Sequence, residues 1–151
     1  MPRLKPIFES ERVPPQLVWI AEVESSFNPR ARSPAGAAGM FQLTQATAKQ
    51  LGLSTGWPDE RLNAEKSARA AARHLRSLHD RYGDWRLALA AYNAGPARVD
   101  GLLSKSRKRS FDAIAGRLPT ETQMYVPKCE ATLQKREGLT LAALRSSKRS
   151  S

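Results

Sequence analysis

The stretch 63–83 constrains the fold of this chain more than any other. It is rich in Ala, Leu, Arg and Glu, which have high helix propensity. Asn63 suits the N-cap position and Gly83 suits the C-terminal stop, so the sequence predicts a helix over Ala64–Tyr82. No segment shows the sustained period-two alternation of a half-buried strand. The sequence therefore predicts an all-α fold, or a helical fold with minimal β-structure.

Glycine, proline and capping residues divide the remaining sequence into shorter predicted helices. Asp84 and Ser110 suit the caps of two of them, and Thr120 with Gln123 three residues later resembles a capping box. Pro127 should kink the last helix or mark its true first turn. The predicted helices cover 15–25, 45–51, 85–92, 97–104, 111–116 and 120–137, and predicted loops cover 28–39 and 53–62.

The size of the chain fits one domain. With 151 residues it can bury about two-thirds of its unfolded surface around one core, and no run approaches the roughly eighteen apolar residues of a membrane span. We expect an irregular N-terminal segment over 1–12, a helical domain over 13–138 and a basic, flexible tail over 139–151. Because the first residues lack the apolar stretch of a secretory signal, we expect a cytoplasmic protein or a chain without its export segment.

The net charge of +11 predicts an anionic partner. Nucleic acid, an acidic membrane surface and an acidic polymer such as a cell wall all fit this charge. Over half of the excess lies in a predicted loop and in the predicted tail, at Lys105, Arg107, Lys108, Arg109, Arg145, Lys148 and Arg149. The domain itself is therefore basic, but less so than the whole chain.

Cys129 is the only cysteine, which excludes an intrachain disulfide and a thiol-rich metal site. It lies among helix-forming residues, so we interpret it as a small packing residue. His74 and His79 are five residues apart in a charged helix, which is a poor spacing for two metal ligands on one face. We therefore expect no metal and no other cofactor.

Glu24 ends the first predicted helix on an apolar face. At about 100° per residue it shares one stripe with three apolar residues, Leu17, Ile20 and Ala21. The helix stops soon afterwards because Pro29 disfavours helical angles in the residue before it. Burial and the negative end of the helix dipole should both raise the pKa of Glu24, as a general acid requires. Glu22, flanked by Val18 and Trp19, is a rival that periodicity alone leaves open.

Three further stretches combine polar side chains with glycine or proline. They are Gly39-Met40-Phe41-Gln42, Ala91-Tyr92-Asn93-Ala94-Gly95 and Glu121-Thr122-Gln123-Met124-Tyr125-Val126-Pro127. Each also has a structural interpretation: Gln42 or Asn93 could satisfy a helix end, and Tyr92 could belong to the core. Together with the first helix they supply one acid, two amides, two phenols and a hydroxyl. This set suits a polyhydroxylated, N-acetylated ligand such as an amino sugar.

These blocks resemble the soluble-lytic-transglycosylase (SLT) domain. The residues that carry the resemblance are Glu24-Ser25, Phe27-Asn28-Pro29, Ser33, Gly39-x-x-Gln42, Ala91-Tyr92-Asn93-Ala94-Gly95 and Glu121-Thr122-x-x-Tyr125-Val126-Pro127. The domain belongs to glycoside hydrolase family 23, with the goose-type lysozymes. The resemblance covers about residues 12–135 and looks closest to the membrane-bound lytic murein transglycosylase D group. It selects Glu24 over Glu22.

The resemblance implies a lysozyme-like domain with a substrate groove, which cleaves peptidoglycan between N-acetylmuramic acid and N-acetylglucosamine. Glu24 would be the sole catalytic residue. It would protonate the glycosidic oxygen and then accept the proton of the muramic C6 hydroxyl as that oxygen attacks C1, which leaves a 1,6-anhydromuramoyl end. One carboxyl suffices because the nucleophile belongs to the substrate, whereas ordinary glycosidases use two.

The resemblance also implies roles for other residues. Ser33 would hydrogen-bond near the Glu24 carboxyl or the substrate. Tyr125 would approach Glu24 and help set its protonation, and Ser25 would support the helix end. The residues expected to contact the sugars and their N-acetyl groups are Met40, Gln42, Tyr92 and Asn93.

Two alternatives stay open at this point. The first is a goose-type muramidase, a hydrolase that uses a second carboxylate to hold water, for which the sequence offers Asp59, Glu60 and Asp100. The second is a basic helical module that binds nucleic acid, which the charge supports but which explains none of the motif blocks. Thr44 and Gln45 depart from the family, where an apolar residue and then proline are common, and they affect the expected packing of the sugars.

As partner we expect peptidoglycan glycan strands and no nucleic acid. We expect a monomer in the bacterial cell envelope, in the periplasm or associated with the outer membrane through segments absent from this chain. No peptidoglycan-binding repeat follows and no lipid-attachment cysteine precedes the predicted domain. We therefore expect an excised catalytic domain.

Overall fold

The computed structural model of this protein describes residues 3–144, and in that range it is helical. Its only β-pairing there consists of two isolated bridges, Arg32 with Ala38 and Ala38 with Leu43. The helices are α1 (Leu4–Ser10), α2 (Ile20–Ser25), α3 (Gln45–Gln50), α4 (Ala64–Tyr82), α5 (Trp85–Ala94), α6 (Pro96–Ser104), α7 (Phe111–Ile114) and α8 (Thr120–Glu137). Short 3-10 turns cover Pro15–Trp19, Glu60–Leu62, Ala115–Arg117 and Leu141–Ala143.

Local capping accounts for several of these helix starts. Asn63 Oδ1 accepts the backbone N–H three residues later at 2.9 Å and so begins α4 where the sequence predicts. Asp84 does the same for α5 at 2.9 Å, and Ser110 for α7 at 3.2 Å. These hydrogen bonds confirm all three predicted caps. Each bond joins groups only three residues apart, so the local sequence is enough to predict it.

The capping box predicted at the start of α8 is wrong. Pro119 precedes the helix with extended backbone angles, and Thr120 is already the first helical residue. The Gln123 side chain donates to Leu118 O at 2.8 Å instead of reaching a cap residue. Pro127 lies inside α8, which continues past it to Glu137.

The irregular segment predicted over 1–12 is also wrong, because the chain forms α1 there. Leu4, Ile7 and Phe8 are buried, and their spacing places them on one face of the helix. The Phe8 ring lies 5.7 Å from the ring of Phe41. A helix this short gains its stability from such packing rather than from propensity.

The predicted flexible tail does not begin at residue 139. Leu141 and Leu144 are buried, and Leu141 N donates to Glu130 Oε2 at 2.9 Å. The rest of the predicted tail, 145–151, lies outside the described residues.

The described residues form two compact units, 3–74 and 75–144, and the division falls inside α4. In the N-terminal unit, α1 and α2 both pack against the turn Pro15–Trp19. In the C-terminal unit, α5 is the central helix and packs against α6, α7 and α8. The buried residues of α5 are Trp85, Leu87, Ala88, Leu89, Ala90 and Ala91. None of the helices in the described part of the chain is long and apolar enough to cross a membrane.

Candidate active site

Glu24 lies in the last turn of α2. The three apolar residues of its predicted stripe are all buried, and the Glu24 side chain itself is half-buried. The helix ends earlier than Pro29 requires, because Ser26 and Phe27 both adopt left-handed backbone angles, with φ of 54° and 60°. Such angles are uncommon for residues with a side chain and often occur at functional sites.

Ser25 connects the end of α2 to the glycine-containing loop. Its Oγ lies 2.8 Å from Met40 O and 3.2 Å from Ala21 O, so its proton can be donated to either carbonyl. The same oxygen accepts from Asn28 N at 3.1 Å. Glu24 is therefore adjacent to a residue whose hydrogen bonds hold the loop against the helix.

The loop of 31–43 is closed by its own hydrogen bonds. Gly39 N donates to Ala31 O at 2.8 Å, and Gln42 Nε2 donates to Gly39 O at 2.9 Å and to Ala31 O at 3.3 Å. Ser33 Oγ accepts from Ala37 N at 3.1 Å. Gln42 has a left-handed φ of 52°. These bonds use the side-chain nitrogen Nε2 of Gln42, and its side-chain oxygen Oε1 takes part in none of them.

Met40 is mostly enclosed by the protein. The residue as a whole is 8% exposed, and its carbonyl accepts the bond from Ser25. Only a small part of this side chain is accessible to a ligand.

Arg61 belongs to the structure of the site but has no role predicted from the sequence. Its side chain is 3% exposed, and its Nη1 donates to Gly36 O and to Leu43 O, both at 2.9 Å. Its other two nitrogens bind both carboxylate oxygens of Asp59 at 3.0 and 2.8 Å. These hydrogen bonds lower the pKa of Asp59, although burial acts in the opposite direction. Nothing in the local pattern distinguishes Arg61 from a surface arginine, because an Asp59–Arg61 pair alone fits an exposed turn and the two carbonyls it binds, of Gly36 and Leu43, lie far away in sequence.

Asn93 lies near the C-terminal end of α5 and connects two of the predicted blocks. Its Nδ2 donates to Glu121 Oε2 at 3.0 Å, and its Oδ1 accepts from Thr122 Oγ1 at 2.7 Å. Thr122 is buried, with 1% exposure. Glu121 and Thr122 belong to the block 121–127 that resembles the SLT domain, but the resemblance implies no role for either residue. Tyr92 is half-buried and Tyr125 is buried.

The predicted site residues thus fall into two groups. The N-terminal unit holds Glu24, Ser25, Ser33, Met40 and Gln42, and hydrogen bonds connect the α2 end with the 31–43 loop. The C-terminal unit holds Tyr92, Asn93 and Tyr125, and there the α5 end and the first turn of α8 are joined.

The three carboxylates that the sequence offers as a second acidic group all form ion pairs. Asp59 pairs with Arg61, and Glu60 accepts from Lys66 Nζ at 2.7 Å, which lowers the pKa of Glu60. Asp100 accepts from Arg81 and from Tyr82. Burial alone would raise the pKa of Asp100, but these hydrogen bonds outweigh burial and lower it. Each carboxylate therefore has a structural role in its own unit.

Across residues 3–144, no cluster of three or more His, Cys, Asp and Glu side chains could hold a metal ion. The two histidines lie in α4, and burial lowers the pKa of both. His79 stacks on Trp85 with 4.1 Å between ring centroids.

The sequence profile described as Transglycosylase SLT domain matches residues 7–115. Over 124 residues the chain is 39% identical to membrane-bound lytic murein transglycosylase D of Escherichia coli. The matched region covers 80% of this chain and 27% of that protein. Over 83 residues it is 46% identical to peptidoglycan transglycosylase gp16 of Escherichia phage T7, and this region covers 53% of this chain and 6% of that protein.

The fold is similar to that of the 70 kDa soluble lytic transglycosylase from Escherichia coli. The TM-score is 0.77 at 27% identity, over 96% of this chain and 26% of that one. This similarity confirms the predicted all-α, lysozyme-like fold class. The chain spans about a quarter of the length of transglycosylase D. From the profile match and the shared identity, the chain belongs to the family of the transglycosylase SLT domain.

Proposed function

We propose that this chain is a lytic transglycosylase that cleaves the β-1,4 bond between N-acetylmuramic acid and N-acetylglucosamine in peptidoglycan. One observation carries the proposal: Glu24 ends a buried helical stripe, beside a serine that is hydrogen-bonded to the loop of Gly39 and Gln42. Membership of the SLT family supports it, since the relatives named above are transglycosylases of murein or peptidoglycan.

In the proposed reaction the Glu24 carboxyl first donates its proton to the glycosidic oxygen as the bond from that oxygen to C1 of the muramic acid breaks. The resulting carboxylate then takes the proton of the C6 hydroxyl while O6 forms a bond to C1. The carboxyl regains its proton, no water is consumed, and the product carries a 1,6-anhydro ring. General acid–base catalysis by one residue is worth roughly 10²–10⁴-fold in rate.

The ion pairs of Asp59, Glu60 and Asp100 support this mechanism over hydrolysis. A hydrolase needs a carboxylate that activates or holds water, in addition to the acid. All three candidate carboxylates form close ion pairs with a basic side chain. A reaction whose nucleophile comes from the substrate requires none of them.

The remaining site residues keep the roles predicted for them, as part of this proposal. In the N-terminal unit, the carbonyl oxygen of Gln42 would accept the N–H of an N-acetyl group, and Ser33 and the accessible part of Met40 would contact substrate. In the C-terminal unit, Tyr92 and Asn93 would contact the sugars. Tyr125, in the same unit, would also contact substrate.

We further propose that the chain acts on glycan strands in the bacterial cell envelope and is a monomer. The membrane-bound class of its relative supports the envelope as the site of action.

The test is digestion of purified peptidoglycan sacculi followed by mass spectrometry of the products. We expect 1,6-anhydromuramoyl ends from the unaltered chain. Glu24→Gln, which keeps the shape of the side chain but removes the acid, should reduce the rate by roughly 10²–10⁴-fold. Glu22→Gln is the matched control, since Glu22 is a half-buried glutamate of the same helix, and it should retain the rate within a few-fold.

Reducing ends in place of anhydro ends would show a hydrolase and overturn the transglycosylase proposal. Full activity of Glu24→Gln, or loss of activity in Glu22→Gln alone, would remove Glu24 from the catalytic role.

A further inference from the structure

We propose that residues 105–109, here called the cationic loop, bind the carboxylates of the peptide stems of peptidoglycan. The proposal rests on the proposed function for the identity of the polymer. The loop reads Lys105-Ser106-Arg107-Lys108-Arg109, so four of its five residues are cations, and all four are exposed. It follows α6 and precedes α7 in the C-terminal unit.

The backbone of the cationic loop is fixed at its first end and in its middle. Lys105 N donates to Leu102 O at 3.2 Å and Ser106 N donates to Leu103 O at 3.1 Å, which extends the last turn of α6. Ser106 Oγ then donates to Lys108 O at 2.8 Å and closes the turn. A loop held in this way gives up little conformational entropy when it binds.

Arg109 fixes the second end of the loop. Its Nη2 donates to Arg81 O at 3.2 Å, a carbonyl in the last turn of α4, and its guanidinium lies 5.7 Å from the centroid of the Tyr82 ring. A cation is favourable at this position, since carbonyls at a helix C-terminus lack intrahelical partners and carry partial negative charge. Arg109 is therefore structural, and the loop presents its other three cations to solvent.

The acidic residues next to the loop in sequence are paired with other cations. Asp100 accepts from Arg81 and Tyr82, and Asp112 pairs with Arg86 at 2.9 Å. Within the described range, the ion pairs do not include Lys105, Arg107 or Lys108. The loop thus displays three closely spaced positive charges whose counter-charge must come from a ligand or from salt.

The chemistry of the loop favours a polymer with many carboxylates. Arginine binds carboxylates through two parallel hydrogen bonds, and lysine adds a point charge. Each exposed pair contributes little by itself, so useful binding requires several pairs at once, as repeated peptide stems along a glycan would offer. The loop has no aromatic residue for base stacking, the contact that single-stranded nucleic acid sites use.

The experiment measures binding to purified sacculi by sedimentation, with every protein in the Glu24→Gln background so that turnover is slow. The test variant combines Lys105→Gln, Arg107→Gln and Lys108→Gln and keeps Arg109, which holds the loop. The control removes three exposed helical cations, with Lys49→Gln, Arg98→Gln and Lys135→Gln. At low salt we expect about a tenfold loss of affinity in the test variant, and less than a threefold loss in the control, which has the same net charge.

Two further binding measurements identify the ligand. Sacculi whose carboxyls have been converted to amides should bind the parent and the test variant equally weakly, and added salt should reduce the difference on native sacculi. Equal binding of test and control variants to native sacculi would overturn the proposal. A parent that binds amidated sacculi as tightly as native ones would also overturn it. So would a test variant that, in a parallel binding measurement, loses affinity for DNA but keeps its affinity for sacculi.

Failure of the proposed function would look different. In that case the unaltered chain would yield no anhydro products, while the difference between test and control variants in binding would remain.

Discussion

Gly39 lies so close to a neighbouring backbone that no side chain fits. A Cβ atom at this position would be 2.0 Å from Arg61 O, and the residue has a left-handed φ of 85°. Arg61 in turn donates to Gly36 O and Leu43 O, on either side of Gly39. One glycine and one buried arginine therefore determine the shape of the loop that carries Met40 and Gln42.

At this scale we predict that Gly39→Ala destabilises the protein far more than Gly36→Ala. Both glycines have positive φ, which costs an alanine about 1–2 kcal/mol. Only at Gly39 would the new Cβ atom clash with another atom, the carbonyl oxygen of Arg61, whereas nothing lies within 4 Å of the Cβ position at Gly36. Urea unfolding should show a loss of free energy at least twice as large for Gly39→Ala. Equal losses would mean that the close approach to Arg61 does not exist in solution.

The packing of α5 against α8 is the interaction between elements that bears most directly on the site. Asn93 near the end of α5 accepts from Thr122 in the first turn of α8, and it donates to the adjacent Glu121. Thr122 is buried, so its hydroxyl has lost water and needs this partner. The hydrogen bond fixes the orientation of the Asn93 amide that we propose to contact sugars.

We predict that Thr122→Val and Asn93→Ala are not additive in their effects on the free energy of unfolding. Each alone should cost about 1–3 kcal/mol, because each leaves a polar group without its partner. Together they should cost less than the sum by about 0.5–1 kcal/mol or more. The same cycle with Thr122→Ser, which keeps the hydroxyl, should show a coupling near zero. Additivity in the valine cycle would argue against the hydrogen bond.

The dependence of stability on pH is a property of the whole molecule that the buried titratable groups determine. Burial lowers the pKa of His74 in the folded protein below its ordinary value of 6.5. As pH falls below about 6.5, the unfolded chain therefore binds a proton before the folded one does, and stability decreases. Asp59 affects the stability of the protein at a lower pH than His74 does. Its pKa is lowered by Arg61, so its contribution is present above about 3.9 and is lost as pH falls further.

We predict that the free energy of unfolding decreases between pH 7 and pH 5 and that His74→Gln makes this decrease smaller. The decrease below pH 4, to which Asp59 contributes together with Glu60 and Asp100, should persist in the same variant and serves as its internal control. Chemical unfolding at a series of pH values measures both. If His74→Gln left the slope between pH 7 and pH 5 unchanged, burial of His74 would not be its cause.

The comparison of sequence and structure separates local from distant interactions. Asn63, Asp84 and Ser110 cap the helices that the sequence predicts, since each bond spans three residues. Ile20 and Ala21 share α2 with Glu24 and are buried as helix periodicity predicts, whereas Leu17, the first residue of the predicted stripe, is buried in the 3-10 turn before that helix. By contrast, α1 depends on apolar packing around Phe8, whose partner Phe41 is distant in sequence.

The sequence by itself therefore determined the helical class, most helix boundaries, the SLT family and the identity of Glu24 as the candidate acid. Only the tertiary structure decided which groups hold the site residues in place. The bonds of Arg61 to Gly36 and Leu43, and of Asn93 to Thr122, join residues that no local pattern relates. A capping bond is set by the geometry of one helix, whereas these contacts exist only once separate segments have packed together.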